Sequence, residues 1–253
     1  MSMKVVIGLL IALVCTVGAC VPVKPVAGPP GMPGAAGPPP DIEFGQPCSR
    51  ARADDWEAGA MTDPRDAFQG AACLAYLAEQ EQQDVGARLS AARKGRRLAE
   101  MAVAAWPDSG LAHYLLAYLT GLVAEKTPLK GLELVPVIEG EAQSAARLNP
   151  DIDHGGPDRM LGELYLRAPG FPVSIGDPAL AVVHYRRAVT IDPVFAANRL
   201  GLIEALLAEE ETTAACKELK DFFRCCVQVP AGDATWLKVQ ELQQRMCEQL
   251  DTD

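Results

Sequence analysis

The chain has 253 residues, 49% of them hydrophobic and only 6% aromatic. That is enough apolar material for one sizeable core, and an Ala- and Leu-rich, aromatic-poor composition favours helices over sheet. A net charge of −10 excludes a nucleic-acid partner, because nothing in such a balance neutralises phosphates.

Residues 1–19 read as a lipoprotein signal peptide. Lys4 supplies a short positive start, and Val5 to Val14 form an apolar run too short to span a bilayer comfortably. Val17-Gly18-Ala19-Cys20 resembles a lipobox, so Cys20 is the expected lipidated first residue of the mature chain. Acyl chains contribute about 0.8 kcal/mol per buried CH₂, and several together anchor a protein stably. Residue 21 is Val and not Asp, which for lipoproteins points to the outer membrane, with the domain in the periplasm. Residues 20–47 follow as a Pro/Gly-rich linker with four G-X-Y triplets from Gly28 to Pro39. Its plainer reading is an extended polyproline-II tether reaching about 80 Å at ~3.1 Å per residue. The sharper one is a collagen-like stub, which would make the protein a trimer.

The domain proper is read as 48–253. Six cysteines fall in it: Cys48 and Cys73 near its start, Cys216, Cys225, Cys226 and Cys247 near its end. An even number in an exported chain suggests disulfides that tie the fraying ends. The favoured pairing is Cys48–Cys73 with two bridges among the last four. Pro64, Pro107, Pro150 and Pro193 recur at an interval of 43 residues, and Ala102, Ala145 and Ala188 each precede a member of that set by five. Each interval holds two helices and exceeds the 34 residues of a standard tetratricopeptide repeat, so the hairpins should be elongated or decorated. Helices are predicted over 64–80, 84–105, 109–125, 132–148, 157–168, 178–191, 195–209, 212–226 and 233–250. The second carries Arg93, Lys94, Arg96 and Arg97 on its solvent side, and the fourth is interrupted or kinked near Pro136. The fold class is therefore all-α: stacked antiparallel hairpins, with no convincing strand pattern.

Residues 154–193 carry the most specific signals. Gly155-Gly156-Pro157 makes a turn into a helix, and Gly162 is a small position where helices touch. Ala168-Pro169-Gly170 ends that helix, and Asp177-Pro178 caps and opens the next. Ala181, Tyr185, Ala188 and Pro193 then have the spacing of the second helix of a tetratricopeptide repeat.

The run GGPDRMLGELYLRAPGFPVSIGD and the Ala-rich helix after it resemble the T components associated with tripartite ATP-independent periplasmic (TRAP) transporters. These are periplasmic lipoproteins built of tetratricopeptide-like hairpins. The resemblance is strong over 154–208, weaker over 64–150, and absent from the linker and the cysteine-rich end. It implies an oligomeric scaffold that contacts the transporter's solute-binding protein, with room for a small organic ligand. The matched positions are Gly155, Gly156, Arg159, Gly162, Tyr165, Pro169, Pro172, Gly176 and Asp177. Arg159 is expected to bond carbonyls of the 169–177 loop or to pair with Asp177, since a buried charge needs a partner. The alternative function is a general adaptor for assembly of an envelope complex. Grooves of that kind often carry Asn, and this chain has only Asn149 and Asn198.

Chemistry-bearing motifs are missing. His113, His154 and His184 stand singly, Ser174 lacks the G-x-S-x-G elbow, and no phosphate loop occurs. The runs Glu79-Gln80-Glu81 and Glu209-Glu210-Glu211 read as solvated helix ends. Neither an enzyme, a cofactor nor a metal site is expected.

Overall fold

The computed structural model describes residues 37–81, 84–226 and 234–247. The expected signal peptide, Cys20 and the linker as far as residue 36 lie outside the described residues. What is described is all-α: α1 (Arg50–Gly59), α2 (Pro64–Gln80), α3 (Val85–Ala105), α4 (Gly110–Glu125), α5 (Pro128–Leu148), α6 (Gly156–Arg167), α7 (Pro178–Ile191), α8 (Ala196–Ala208), α9 (Thr212–Cys225) and α10 (Ala234–Met246).

Local chemistry accounts for most of the helix starts. Asp63, Asp84, Ser109 and Asp177 sit before α2, α3, α4 and α7 with extended backbone, and each side chain accepts an N–H of the first turn. Pro at the first turn of α2, α5 and α7 has no N–H to lose there. The 43-residue proline period has a structural meaning from its second member onward. Ala102, Ala145 and Ala188 are buried and their carbonyls accept the final N–H of α3, α5 and α7 from Trp106, Asn149 and Asp192. Pro107, Pro150 and Pro193 follow at once and stop each helix. Pro64 differs, since it opens α2.

Two expectations change. Helix α1 was not anticipated: its sequence RARADDWEAG has almost no apolar stripe, so periodicity is silent. It is held by Ser49 at its N-cap and by Glu57, which pairs with Lys94 and Arg97 of α3. Those two cations therefore reach a contact between helices while staying on the solvent side, Arg97 with 63% of its side chain exposed. Helix α5 begins at Pro128 and runs to Leu148 as one helix with Pro136 inside it. Losing one backbone bond is tolerated where Val135, Ile138, Ala142 and Ala145 are all buried.

Helices α2–α3, α4–α5, α6–α7 and α8–α9 form consecutive hairpins, with α1 laid on α2. Alternate helices also touch: α2 on α4, α4 on α6, α6 on α8, and α10 on α8. These make an inner row, and α3, α5, α7 and α9 an outer one. Fully buried alanines such as Ala67, Ala71, Ala92, Ala99, Ala102 and Ala112 let the backbones approach closely in the first half. The linker's last part joins this body: the Trp106 indole donates to the Gly37 carbonyl at 2.9 Å, and Ile42 and Phe44 pack on the core.

The disulfides close both ends. Cys48–Cys73 ties the entry of α1 to α2, and Cys216–Cys247 ties α9 to the end of α10. Closing loops of this size stabilises by about 3–4 kcal/mol. Cys225 and Cys226 are free, so the last four cysteines form one bridge and not the two expected. Cys216 faces α10 across the α9–α10 contact, whereas Cys225 and Cys226 lie at the far end of α9.

Between α4 and α5, both ring nitrogens of His113 meet acceptors, Glu141 Oε2 at 2.5 Å and the Pro107 carbonyl at 2.7 Å. The Glu141 contact leads in raising its pKa above the ordinary 6.5, against burial, which lowers it. A raised folded-state pKa gives stability that is complete below about pH 6.5 and is lost as pH climbs through the raised value. The Tm is therefore expected to fall from pH 6 to pH 9 by more in the native chain than in His113→Gln. Equal slopes in a thermal melt series would contradict this.

Candidate functional site

The inner row, with part of α5 along one side, borders a groove of about 750 Å³. Leu122, Leu132, Val135, Ile138, Met160, Leu164 and Leu200 make apolar walls, and Glu79, Asp153, Arg159, Glu163, Arg167, Glu204 and Lys238 make a charged floor.

That floor is organised by tyrosines. Tyr114 and Tyr118, one turn apart on α4, donate to Asp153 Oδ2 and Glu79 Oε1, each at 2.6 Å. Tyr185 reaches through from α7 and donates to Glu163 Oε2 at 2.7 Å. Outside the groove's lining, Tyr165 likewise donates to Glu139 Oε1 at 2.6 Å. Burial, and then the carboxylate in each pair, pushes all four hydroxyls above the usual phenol range, Tyr165 to about 12. They are therefore fixed proton donors at neutral pH. Glu163 and Glu204 also share Arg167, and Glu204 takes Lys238 from α10. Glu79 is thus no mere solvated helix end. Glu81 pairs with Arg50.

The wall beside Tyr185 is set by missing side chains. A Cβ on Gly162 would stand 2.7 Å from the Tyr185 ring, and one on Gly201 only 2.0 Å from it. Two glycines from α6 and α8 meet the ring at its two opposite edges, and no larger residue fits either place.

At the groove's base the chain takes an uncommon path. Asp153, His154 and Gly155 all have positive φ, at 49°, 58° and 84°. For the two non-glycine residues such backbone costs about 1–3 kcal/mol each, so the surroundings must hold it. Arg159 donates to the Asp153 carbonyl at 2.9 Å, to its carboxylate, and to Asn198 Oδ1 at 3.0 Å. Its guanidinium lies 4.9 Å over the Phe195 ring. Fully buried Asn198 donates in turn to the carbonyls of His154 and Ala188 at 2.8 and 2.9 Å. His154 stacks on Phe195 at 4.4 Å and bonds Asp192.

The residues singled out in the sequence divide accordingly. Gly156, Arg159 and Pro169 line the groove, and Gly162 backs its Tyr185 wall. A Cβ on Gly156 would stand 2.4 Å from the Tyr114 hydroxyl. Gly155 turns the chain beside Ala188. Tyr165 stacks on His184 at 5.4 Å, and His184 bonds Asp158. Pro172, Gly176 and Asp177 lie apart, in the α6–α7 turn. There the Gly176 N–H bonds the Pro169 carbonyl, the Asp177 N–H bonds that of Tyr165, and a Cβ on Gly176 would collide with the Ala168 oxygen. Pro172 follows Phe171, whose ring is 93% exposed.

The expected partners of Arg159 are corrected: it bonds Asp153 and Asn198, not the 169–177 loop or Asp177. Its side chain points back along α6 toward the helix start, as helical side chains do, whereas the loop lies beyond the other end. Asp177 caps α7 through Leu180 N–H. Tyr114, Tyr118, Asp153, Glu163, Gly201 and Glu204 were not anticipated. Gly201 had a visible signal, since Leu200-Gly201 repeats the Leu161-Gly162 pair of α6.

No protein-family model matches the sequence, and no curated protein does. Among solved structures, the fold is similar to a thermophilic tetratricopeptide-repeat protein of Thermus thermophilus, with a TM-score of 0.52 at 14% identity over 78% of this chain and 88% of that one. At that identity the likeness establishes the tetratricopeptide-like fold alone.

Proposed function

We propose that this protein is a non-enzymatic, lipid-anchored adaptor of the periplasm whose concave groove receives a protein partner. The groove carries this reading: apolar walls supply contact area, and fixed tyrosine donors with partly satisfied carboxylates and cations supply register. The resemblance of 154–208 to TRAP-associated T components names the partner class, the solute-binding protein of a TRAP-type uptake system. Anchorage through Cys20 in the outer membrane, and a trimer, complete the proposal.

Gly121 gives a clean test, because it lines the groove and a Cβ there meets nothing within 4 Å. Gly121→Phe is expected to fill the groove and weaken binding of the solute-binding protein at least tenfold, about 1.4 kcal/mol. Its Tm should stay equal or rise, as glycine leaves a helix interior. Binding is read by titrating purified solute-binding protein against the tagged full chain. Unchanged affinity, or recovery of envelope-assembly factors alone in a cross-linked pull-down, rejects the assignment.

A further inference from the structure

We propose that Cys225 and Cys226 are a reversible redox site that closes to a vicinal disulfide when a small-molecule disulfide is the oxidant. This is independent of what occupies the groove.

Among the described residues the bonded cysteines are committed to Cys48–Cys73 and Cys216–Cys247, which leaves these two thiols with each other. Their sulfurs are 2.7 Å apart, well inside van der Waals contact, so little movement brings them to the ~2.05 Å of a bond. The pair stands at the C-terminus of α9. Cys226 is buried and its thiol lies 3.4 Å from the Val194 carbonyl, while Cys225 is half-buried, near the Phe222 carbonyl at 3.7 Å. Burial, and then the neighbouring Cys225, push the Cys226 thiol up to about 12. The two sulfurs therefore have distinct parts. Cys225 is the accessible one and attacks first; Cys226 resolves.

The step balances. The Cys225 thiolate attacks one sulfur of oxidised glutathione, and one glutathione leaves as thiolate. Cys226 then attacks Cys225 Sγ of the mixed disulfide and expels the second. Both cysteines together lose two electrons, the glutathione disulfide gains them, and the two cysteine protons end on the two glutathione thiols. Adjacent Cα atoms are about 3.8 Å apart, closer than disulfides prefer, so the ring is strained and easily reduced again.

The test uses the full chain. It is incubated with oxidised glutathione, quenched with N-ethylmaleimide and digested with trypsin. Cleavage after Arg224 and Lys238 releases one peptide, 225–238, with these two cysteines and no others. The expected peptide carries no maleimide and is lighter than the dithiol by two hydrogens. Brief dithiothreitol treatment of the folded protein should restore two maleimides there while the peptides of Cys48–Cys73 and Cys216–Cys247 stay linked. In Cys226→Ser, Cys225 should stop at the mixed glutathione adduct. Two maleimides after oxidation, a lasting glutathione adduct in the native chain, a cross-link to Cys216 or Cys247, or an unreactive Cys225 in Cys226→Ser would each overturn the proposal.

Discussion

Gly201→Ala is expected to destabilise the protein by about 2 kcal/mol and to lower its Tm by roughly 4–8 °C. The new methyl would stand 2.0 Å from Tyr185 Cε1, so the ring must move. It has nowhere to go, because Gly162 meets its other edge and the ring is almost fully buried. Its hydroxyl is also bound to Glu163. Overpacking of this kind costs about 1–3 kcal/mol. A 2.0 Å approach places this cost at the upper end, and the better helix propensity of alanine offsets up to about 1 kcal/mol of it, so the net falls near the stated value. The same substitution at Gly121, where a Cβ meets nothing, should instead stabilise by about 0.5–1 kcal/mol. Thermal unfolding of the two variants side by side separates clash from propensity. Adding Tyr185→Leu to Gly201→Ala should also make the second change cheaper than in the native background, since the ring is what it strikes. Equal Tm changes for Gly121→Ala and Gly201→Ala would contradict the clamp.

The all-α architecture and most helix bounds were legible because the signals are local. Proline, N-capping Asp or Ser, and buried Ala act within one turn, so Asp63-Pro64 and Asp177-Pro178 mark their helices unaided. The proline period was legible for a related reason, since Ala102, Ala145 and Ala188 repeat one job at the ends of α3, α5 and α7. The groove was not legible, because its floor is made by pairs far apart in sequence. Tyr118 and Glu79 come from α4 and α2, and Tyr114 and Asp153 from either side of α5. A carboxylate that accepts a tyrosine hydroxyl has the same letter as one in water. Helix α1 escaped because its contacts are Glu57 with Lys94 and Arg97, charges that read as surface until a partner is placed on them. The cysteine pairing was half legible: sequence separates the two ends of the domain but does not say which face of α9 meets α10.

Arg159→Met should cost about 3 kcal/mol, and the partner with which it couples distinguishes two accounts of this residue. In the structure Arg159 neutralises Asp153, supports a backbone with positive φ at Asp153 and His154, and bonds Asn198. Removing one member of a buried pair strands the other; full burial would make that about 3–5 kcal/mol. Asp153 and Arg159 keep side-chain exposures of 20% and 18%, which places the loss at the lower end. Methionine retains the stem but not the guanidinium over Phe195, so the deficit reports charge, hydrogen bonds and that cation–π contact. Asp177→Ala removes an N-cap and should cost about 1 kcal/mol on its own. Because Asp177 works at the start of α7 and Arg159 near the start of α6, the double variant should be additive within about 0.5 kcal/mol. Arg159→Met with Asp153→Asn should instead couple by more than about 1 kcal/mol, because once the cation is gone a neutral amide is easier to bury than the carboxylate. Chemical denaturation of the two cycles gives both numbers. Coupling to Asp177 with additivity at Asp153 would return Arg159 to the 169–177 loop and leave the left-handed turn without its main support.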